Sequence, residues 1–417
     1  MKRLLSVCLS LCIMVSVIVS FDITASAKTN LKKTTVSASN TSSGVNVSWK
    51  KVSGAKSYKV YRKASGAKKY SVVKKTNSKT VKYLDKKVSA GKTYSYQVVA
   101  VNGKTKTTSK AKSIVRLLAP KNVKVQSYAS KTDCTLKGSK ADYVFDNVFN
   151  FDSKLGVKIT WNKSKGANKY DIYRKVDNSK KYRKIKTVGN ISTYVDRESF
   201  FSVVNLSYKV VARKNTSASD YSTTRKICYV EPSYIFTYSL SDELLVSWTQ
   251  VAGCDGYKLY RSLTGKAGSY SYIGKYTTKE YKYEEKNAEL GKTYYYKLVA
   301  YKGSNNSVGL TIKEKYEPVT TVNLNVGDTS DSVQKQFKKT LAKINKDLKR
   351  NMSDLYQEVT FDKIMESIRI ESKDEKVATV SKDYIITAVS QGTIKAPIIQ
   401  KLGNFEFEKG FILINVN

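Results

Sequence analysis

Tyr61, Tyr173 and Tyr260 occupy matching places in three segments reading Tyr-Lys-Val-Tyr-Arg, Tyr-Asp-Ile-Tyr-Arg and Tyr-Lys-Leu-Tyr-Arg. If these are strands, alternation turns Tyr58 and Val60 inward, and Tyr61, Lys59 and Lys63 outward. Outward tyrosines can stack on sugar rings, but they also pair across strands with lysine stems to stabilise an exposed sheet. A second constellation, Asp142, Asp146 and Asp152 among Tyr143, Phe145, Phe149 and Phe151, offers oxygen ligands and aromatic rings within eleven residues. The Gly and terminal Glu of a calcium loop are missing, so no metal site is expected there. An apolar flap closing one end of a module accounts for the same residues. The chain contains no histidine. This removes Ser-His-Asp and Cys-His nucleophilic triads, His-ligated zinc and the usual general base near neutral pH. With no paired-cysteine metal motif and no Gly-rich phosphate loop, no catalytic residue, metal ligand or cofactor is assigned.

Charge is the stronger signal because it is uneven. Of a formal net +41, residues 28–119 carry +22, 120–231 carry +13, 232–317 carry +3 and 318–417 carry +2. Such a field attracts polyanions in a salt-dependent way, although a solubilising lysine coat would look the same in sequence. An anionic cell-wall polymer or glycan is the expected partner. Nucleic acid is not expected, because no nucleic-acid fold motif occurs.

The 417 residues provide for two to four domains. Met-Lys-Arg, an apolar run from Leu4 to Phe21 and Ala25-Ser26-Ala27 have the pattern of a secretory signal cleaved before Lys28. An extracellular location without a covalent wall anchor follows, and the mature chain is not expected to engage a membrane. Cys134, Cys228 and Cys254 are too few for a disulfide framework, leaving a Cys134–Cys228 bridge open and Cys254 as a small buried residue. A monomer is expected.

Those segments are part of a longer repeat. Val47-Ser-Trp49, Ile159-Thr-Trp161 and Val246-Ser-Trp248 each precede a tyrosine by nine residues, and Tyr94 to Ala100, Leu206 to Ala212 and Tyr294 to Ala300 align further on. Period-two alternation and turn clusters predict antiparallel strands with one buried face. Pro120, Pro232 and Pro318 mark the seams, giving domains 28–119, 120–231, 232–317 and 318–417. The second carries an insertion near 127–155. The repeats resemble the fibronectin type III family, in the form found among secreted proteins of Gram-positive bacteria. The resemblance implies seven-stranded immunoglobulin-like sandwiches, with Trp49, Trp161 and Trp248 in the cores and Tyr94 and Tyr294 as corner tyrosines. Leu206 departs from the pattern at that corner.

Residues 318–417 differ. Val333, Phe337, Leu341, Ile344, Leu348, Met352 and Leu355 recur at helical steps, predicting an amphipathic helix over 330–355 with Asp331 and Gln334 as a cap pair. Val322–Gly327, Val377–Val380, Ile386–Ala388 and Phe411–Val416 resemble strands of the group 2 bacterial immunoglobulin-like domain, without the usual Gly before Ile386. A small α+β unit is the alternative. The fold class is therefore all-β, tandem immunoglobulin-like sandwiches followed by an immunoglobulin-like or α+β domain with one helix. The expected role is a non-catalytic binding or spacer protein at a bacterial surface, with a protein partner for the insertion or the C-terminal domain. An accessory carbohydrate-binding protein is the runner-up, and a hydrolase with a carboxylate pair in 318–417 is a third reading.

Overall fold

The computed structural model describes residues 30–130, 132, 155–177, 179–198, 200, 202–336, 338, 339, 342, 367–402 and 405–417. The leader, Cys134, the site candidates Tyr143, Phe145 and Phe149, and most of the expected helix lie outside them. The chain divides into two compact units. One holds residues up to 119 with 164–168 and 212–220, and the other holds 120–163, 169–211 and 221–417.

The first sandwich is built from β1 (Val36–Asn40), β2 (Val45–Trp49), β3 (Ser57–Ala64), β4 (Ser71–Asn77), β5 (Lys82–Asp85), β6 (Thr93–Asn102), β7 (Thr105–Thr108) and β8 (Lys112–Val115). One sheet runs β1-β2-β5, and the other runs β4-β3-β6-β7 with β8 also on β6. Alternation sets the layers. Val45, Val47 and Trp49 of β2, Tyr58 and Val60 of β3, and Tyr94, Tyr96, Val98 and Ala100 of β6 are buried. Trp49 packs on Tyr58 at 5.5 Å between ring centroids. Gly44 admits a close backbone approach at the start of β2, because a Cβ there would stand 2.3 Å from the Asp85 carbonyl oxygen.

The same topology recurs twice. The second sandwich comprises β9 (Lys121–Ala129), β10 (Leu155–Asn162), β11 (Lys169–Val176), β12 (Arg183–Val188), β13 (Thr193–Asp196), β14 (Val203–Lys214), β15 (Ser217–Ala218) and β16 (Arg225–Val230). The third comprises β17 (Ile235–Ser239), β18 (Leu244–Trp248), β19 (Gly256–Ser262), β20 (Ser271–Tyr276), β21 (Lys282–Glu285), β22 (Thr293–Lys302), β23 (Asn305–Asn306) and β24 (Leu310–Lys315). Their sheets run β13-β10-β9 with β12-β11-β14-β15, and β17-β18-β21 with β20-β19-β22-β23, where β16 and β24 also join β14 and β22. Leu155 pairs with Ala129 and Val157 with Ser127, so Ser127–Ala129 and Leu155 are ladder residues and not part of the insertion. Cys228 and Cys254 are free thiols among the described residues, and Cys134, the other end of the bridge left open, lies outside them.

The central strand of each five-stranded sheet pairs with two successive short strands, and buried serines make this possible. Ser109 Oγ accepts from Val98 N, Ser222 Oγ from Val210 N and Ser307 Oγ from Ala300 N, each at 2.9–3.0 Å. The hydroxyl stands in for a strand carbonyl where the partner changes. Tyr94 and Tyr294 form corners, accepting from Ser89 N and Glu289 N at 2.9 Å. Leu206 is fully buried at the matching place.

The C-terminal domain contains β25 (Thr320–Leu324), β26 (Thr329–Ser330), β27 (Ile368–Ile370), β28 (Ala378–Val380), β29 (Ile386–Ala388), β30 (Gly392–Leu402) and β31 (Phe405–Val416). Sheets β25-β31-β30-β27 and β26-β29-β28 share one core of Val322, Ile394, Ile412 and Ile414 against Ala378, Ile386 and Ala388. The first and last strands pair in parallel, Val322 opposite Ile414. Helical residues among those described are 332–336, 338, 339 and 342. The expected cap pair does not form. Ser330 Oγ caps Ser332 N, Asp331 pairs with Lys335, and Gln334 Nε2 donates to the Asp383 carbonyl. The missing glycine before Ile386 is answered by Tyr384, which takes φ = 57°. Its ring is buried and its hydroxyl donates to the Ile368 carbonyl, so tertiary contacts hold a conformation that a bulky residue seldom adopts.

Candidate functional site

Arginine ends each Tyr-x-x-Tyr-Arg segment, and alternation places it on the core side after Tyr58 and Val60. A buried acid receives it. Arg62 Nη1 donates to both oxygens of Asp85 at 3.0 and 2.9 Å, and the Tyr96 hydroxyl donates to Asp85 Oδ2 at 2.9 Å. The second sandwich repeats this with Arg174, Asp196 and Tyr208, and the third with Arg261, Glu285 and Tyr296. Burial and the adjacent carboxylate push the Tyr96, Tyr208 and Tyr296 hydroxyls far above the ordinary tyrosine range. Arg62 lies over the Tyr94 ring, and Arg174 lies over Phe200, which supplies the ring that Leu206 lacks. In each cluster the carboxylate is buried and held by its arginine, the Arg261 guanidinium being the most open to solvent. Sequence reading missed the acids because Asp85, Asp196 and Glu285 differ in type and in their immediate neighbours; their shared signal is a tyrosine two residues earlier, at Tyr83, Tyr194 and Tyr283.

The nominated Tyr61, Tyr173 and Tyr260 are half-buried, each just past a bulge in the neighbouring edge strand, where Val73, Ile185 and Ile273 are the extra residues of β4, β12 and β20. In the first sandwich Tyr61 lies opposite Gln97 and Val72, Lys59 opposite Lys75 and Val99, and Lys63 opposite Ser95. Lys63 Nζ stands over the Tyr70 ring, whose hydroxyl meets Ser95 Oγ at 2.9 Å. Further along the chain the face becomes a lattice of rings and cations. Lys209 Nζ lies 4.4 Å from the Tyr182 centroid and 5.0 Å from that of Tyr221, which meets Tyr173 edge-on. Lys297 Nζ lies 4.5 and 5.0 Å from Tyr260 and Tyr270, and Tyr272 meets Tyr260 edge-on. Ammonium groups thus cover the Tyr70, Tyr182, Tyr221, Tyr260 and Tyr270 rings, so at these positions the surface presents cations beside phenol hydroxyls.

The electrostatics of the first sandwich follow from one residue. Asp85 is the only carboxylate in residues 28–119, and it is fully buried under Arg62. Every other charged side chain there is Lys or Arg. Arg116 is the other inward cation, donating to the Thr41, Ser42 and Leu117 carbonyls, and burial lowers its pKa. The exterior therefore carries no anion to screen its lysines, and its field extends a Debye length of about 8 Å into solvent at physiological salt.

No family model and no curated protein matches the chain. Among solved structures it is similar to the crystal structure of chicken CNTN1 FN1-FN3 domains, at 18% identity over 68% of this chain and 98% of that one, with a TM-score of 0.20. It is also similar to a two-domain fibronectin type III segment of chicken tenascin, at 15% identity over 47% and 99% of the two chains, with a TM-score of 0.24. These neighbours are tandem fibronectin type III domains. The tandem immunoglobulin-like, all-β class itself is carried by the thrice-repeated sheet order.

In the C-terminal domain Arg369 bridges two carboxylates, through Nε to Glu371 at 2.7 Å and through both terminal nitrogens to Glu406 at 2.8 Å. Both acids are exposed, and the guanidinium holds Glu406 below the usual carboxylate range. A glycosidase acid needs the opposite shift. Glu408 does shift upward through burial, but it is committed to Ser241, accepting from its N and Oγ at 2.5 and 3.2 Å.

Proposed function

We propose that this chain is an exported, non-catalytic binding and spacer protein of a bacterial surface. Its leader, 1–27, is removed, and its basic first and second sandwiches hold it on anionic wall polymers. The observation that carries this reading is the first sandwich's exterior, where the sole carboxylate is buried and neutralised while the lysines face solvent. Long-range attraction of that kind needs no pocket and tolerates a repetitive, flexible ligand. The third sandwich and the C-terminal domain, at +3 and +2, carry little of that charge and are the part left to meet other partners. Their seam supports a spacer role. Phe411 of β31 joins the third sandwich's core, and Lys395 Nζ lies over the Tyr316 and Phe411 rings. The test is sedimentation of the chain with purified Gram-positive walls before and after teichoic acid is stripped. Co-sedimentation that disappears with the polymer supports tethering. Equal binding to stripped walls moves the ligand to neutral glycan and refutes it.

A further inference from the structure

The outer face of the three-stranded sheet differs among the sandwiches, and the second sandwich alone carries an irregularity there. In β9–β10 the register shifts between Thr160 and Asn162, so Asn122 and Val123 lie opposite Trp161, and Asn122 takes φ = 52°. The matching ladders β1–β2 and β17–β18 run without a break. Such a bulge bends its strand and re-aims side chains. Beside it lies an open concavity of about 620 Å³, lined by Asn122, Lys124, Lys158, Thr160, Asn162 and the β13 edge at Ser192 and Thr193.

Register defines the chemistry. One rung is Lys124, Thr160 and Thr193, and the next is Gln126, Lys158 and Val195. The two lysines are diagonal neighbours on one face, about 7–8 Å apart at the backbone, within reach of a common group. Lys158 Nζ rests 5.4 Å from the Tyr128 ring centroid, on the side away from Lys124, so it must swing back along the strand to share a group with Lys124. At the matching places the first sandwich has Ser37 and Asn46, and the third has Phe236 and Leu245. The lining contains no carboxylate. Asp196, the nearest acid by register, pairs with Val157 and is turned to the core by Arg174 and Tyr208. The concavity also sits five rungs from the Ala129–Leu155 end of the hairpin, where the insertion enters.

We infer that this concavity is a binding site for a phosphodiester-linked polyol, with Lys124 and Lys158 taking the phosphate and the Asn amides and Thr and Ser hydroxyls taking the polyol hydroxyls. Its volume suits a repeat unit or two of such a polymer. The inference deepens the tethering reading and rests on it, since it gives one sandwich a built site within a diffusely basic surface. The test is fluorescence anisotropy of a labelled poly(glycerol phosphate) oligomer with the full-length chain at about 150 mM salt. K124Q/K158Q is compared with K180Q/K181Q, which removes the same charge from exposed positions of the same sandwich. Loss of about tenfold or more in the first variant, with under about twofold in the second, is the expected result for losing a charge-assisted hydrogen bond. Circular dichroism must show both variants folded. Equal losses in the two variants overturn the site and leave diffuse tethering standing. Equal binding of a phosphate-free polyol overturns the ligand class. Absence of wild-type binding even at about 20 mM salt overturns both the site and the tether.

Discussion

Replacing Asp85 with alanine tests whether the buried cluster is a structural keystone of the first sandwich. Asp85 accepts from Arg62, from the Tyr96 hydroxyl and, at 3.0 Å, from Lys87 N. The substitution leaves the fully buried Tyr96 hydroxyl unpaired and removes the partner of Arg62. Breaking a buried pair by deleting one partner costs about 3–5 kcal/mol. The Arg62 side chain is 21% exposed and recovers some hydration, so the lower end, about 3 kcal/mol, is expected. At roughly 4–8 °C per kcal/mol for a domain of this size, the first sandwich should melt about 12–24 °C lower. Asp85→Asn keeps acceptors for Tyr96 and should lose about half as much. Hydrogen exchange read on peptides from β6, β14 and β22 separates the sandwiches in the intact chain. Faster exchange confined to β6 is expected. A loss under about 1 kcal/mol, as for an exposed pair, would refute the reasoning.

Alkaline titration should find a group of slow tyrosines, with Tyr96, Tyr208, Tyr229 and Tyr296 the last to ionise. Above pH 10 the unfolded chain's tyrosines ionise, whereas Tyr96, Tyr208 and Tyr296 stay protonated in the fold and Tyr283 is pushed up to about 12. The folded state then binds more protons, so stability falls as pH rises past 10, by about 1.4 kcal/mol per pH unit for each such group. Absorbance at 295 nm should therefore rise in two phases, the second coincident with unfolding. Tyr384→Gly should destabilise the C-terminal domain in urea unfolding, because losing the buried ring costs about 3–5 kcal/mol and relief of positive φ returns only about 1–2. Glu408→Ala, which strands the buried Ser241 N–H, should cost about 1–3 kcal/mol and uncouple the C-terminal melt from that of the third sandwich. Glu408→Gln, which keeps the acceptor and removes the buried charge, should leave the two coupled.

The strands were readable because their determinants are local. Val-Ser-Trp or Ile-Thr-Trp followed nine residues later by tyrosine records one burial period in β2, β10 and β18, and three copies reinforce one another. Inward Tyr58 and Val60 follow from the same alternation, yet Arg62, two residues further, was not seen to face inward. Its burial depends on Asp85, which approaches only when β5 pairs beside β2, a contact that no spacing encodes. The serines that bridge strand changes and the Asn122 bulge are likewise products of register. Tyr384 shows the limit from the other side. The absent glycine looked like a departure from an immunoglobulin-like pattern, but tertiary burial supplies the left-handed turn with a tyrosine instead. The cap pair at Asp331 and Gln334 had the right spacing and was displaced by a lysine partner and a loop carbonyl that sequence distance conceals.

The measurement that bears most directly on the tether is the salt dependence of teichoic acid binding by the full-length chain and by its K59E/K63E/K75E variant. These outward side chains share the first sandwich's five-stranded sheet, and their reversal leaves the buried Arg62–Asp85 pair untouched. The account predicts that wild-type affinity falls steeply between about 50 and 300 mM salt. It also predicts that the variant binds at least about tenfold more weakly at the low end and with a shallower salt slope. Binding that is insensitive to salt, or unchanged by the three reversals, would contradict it.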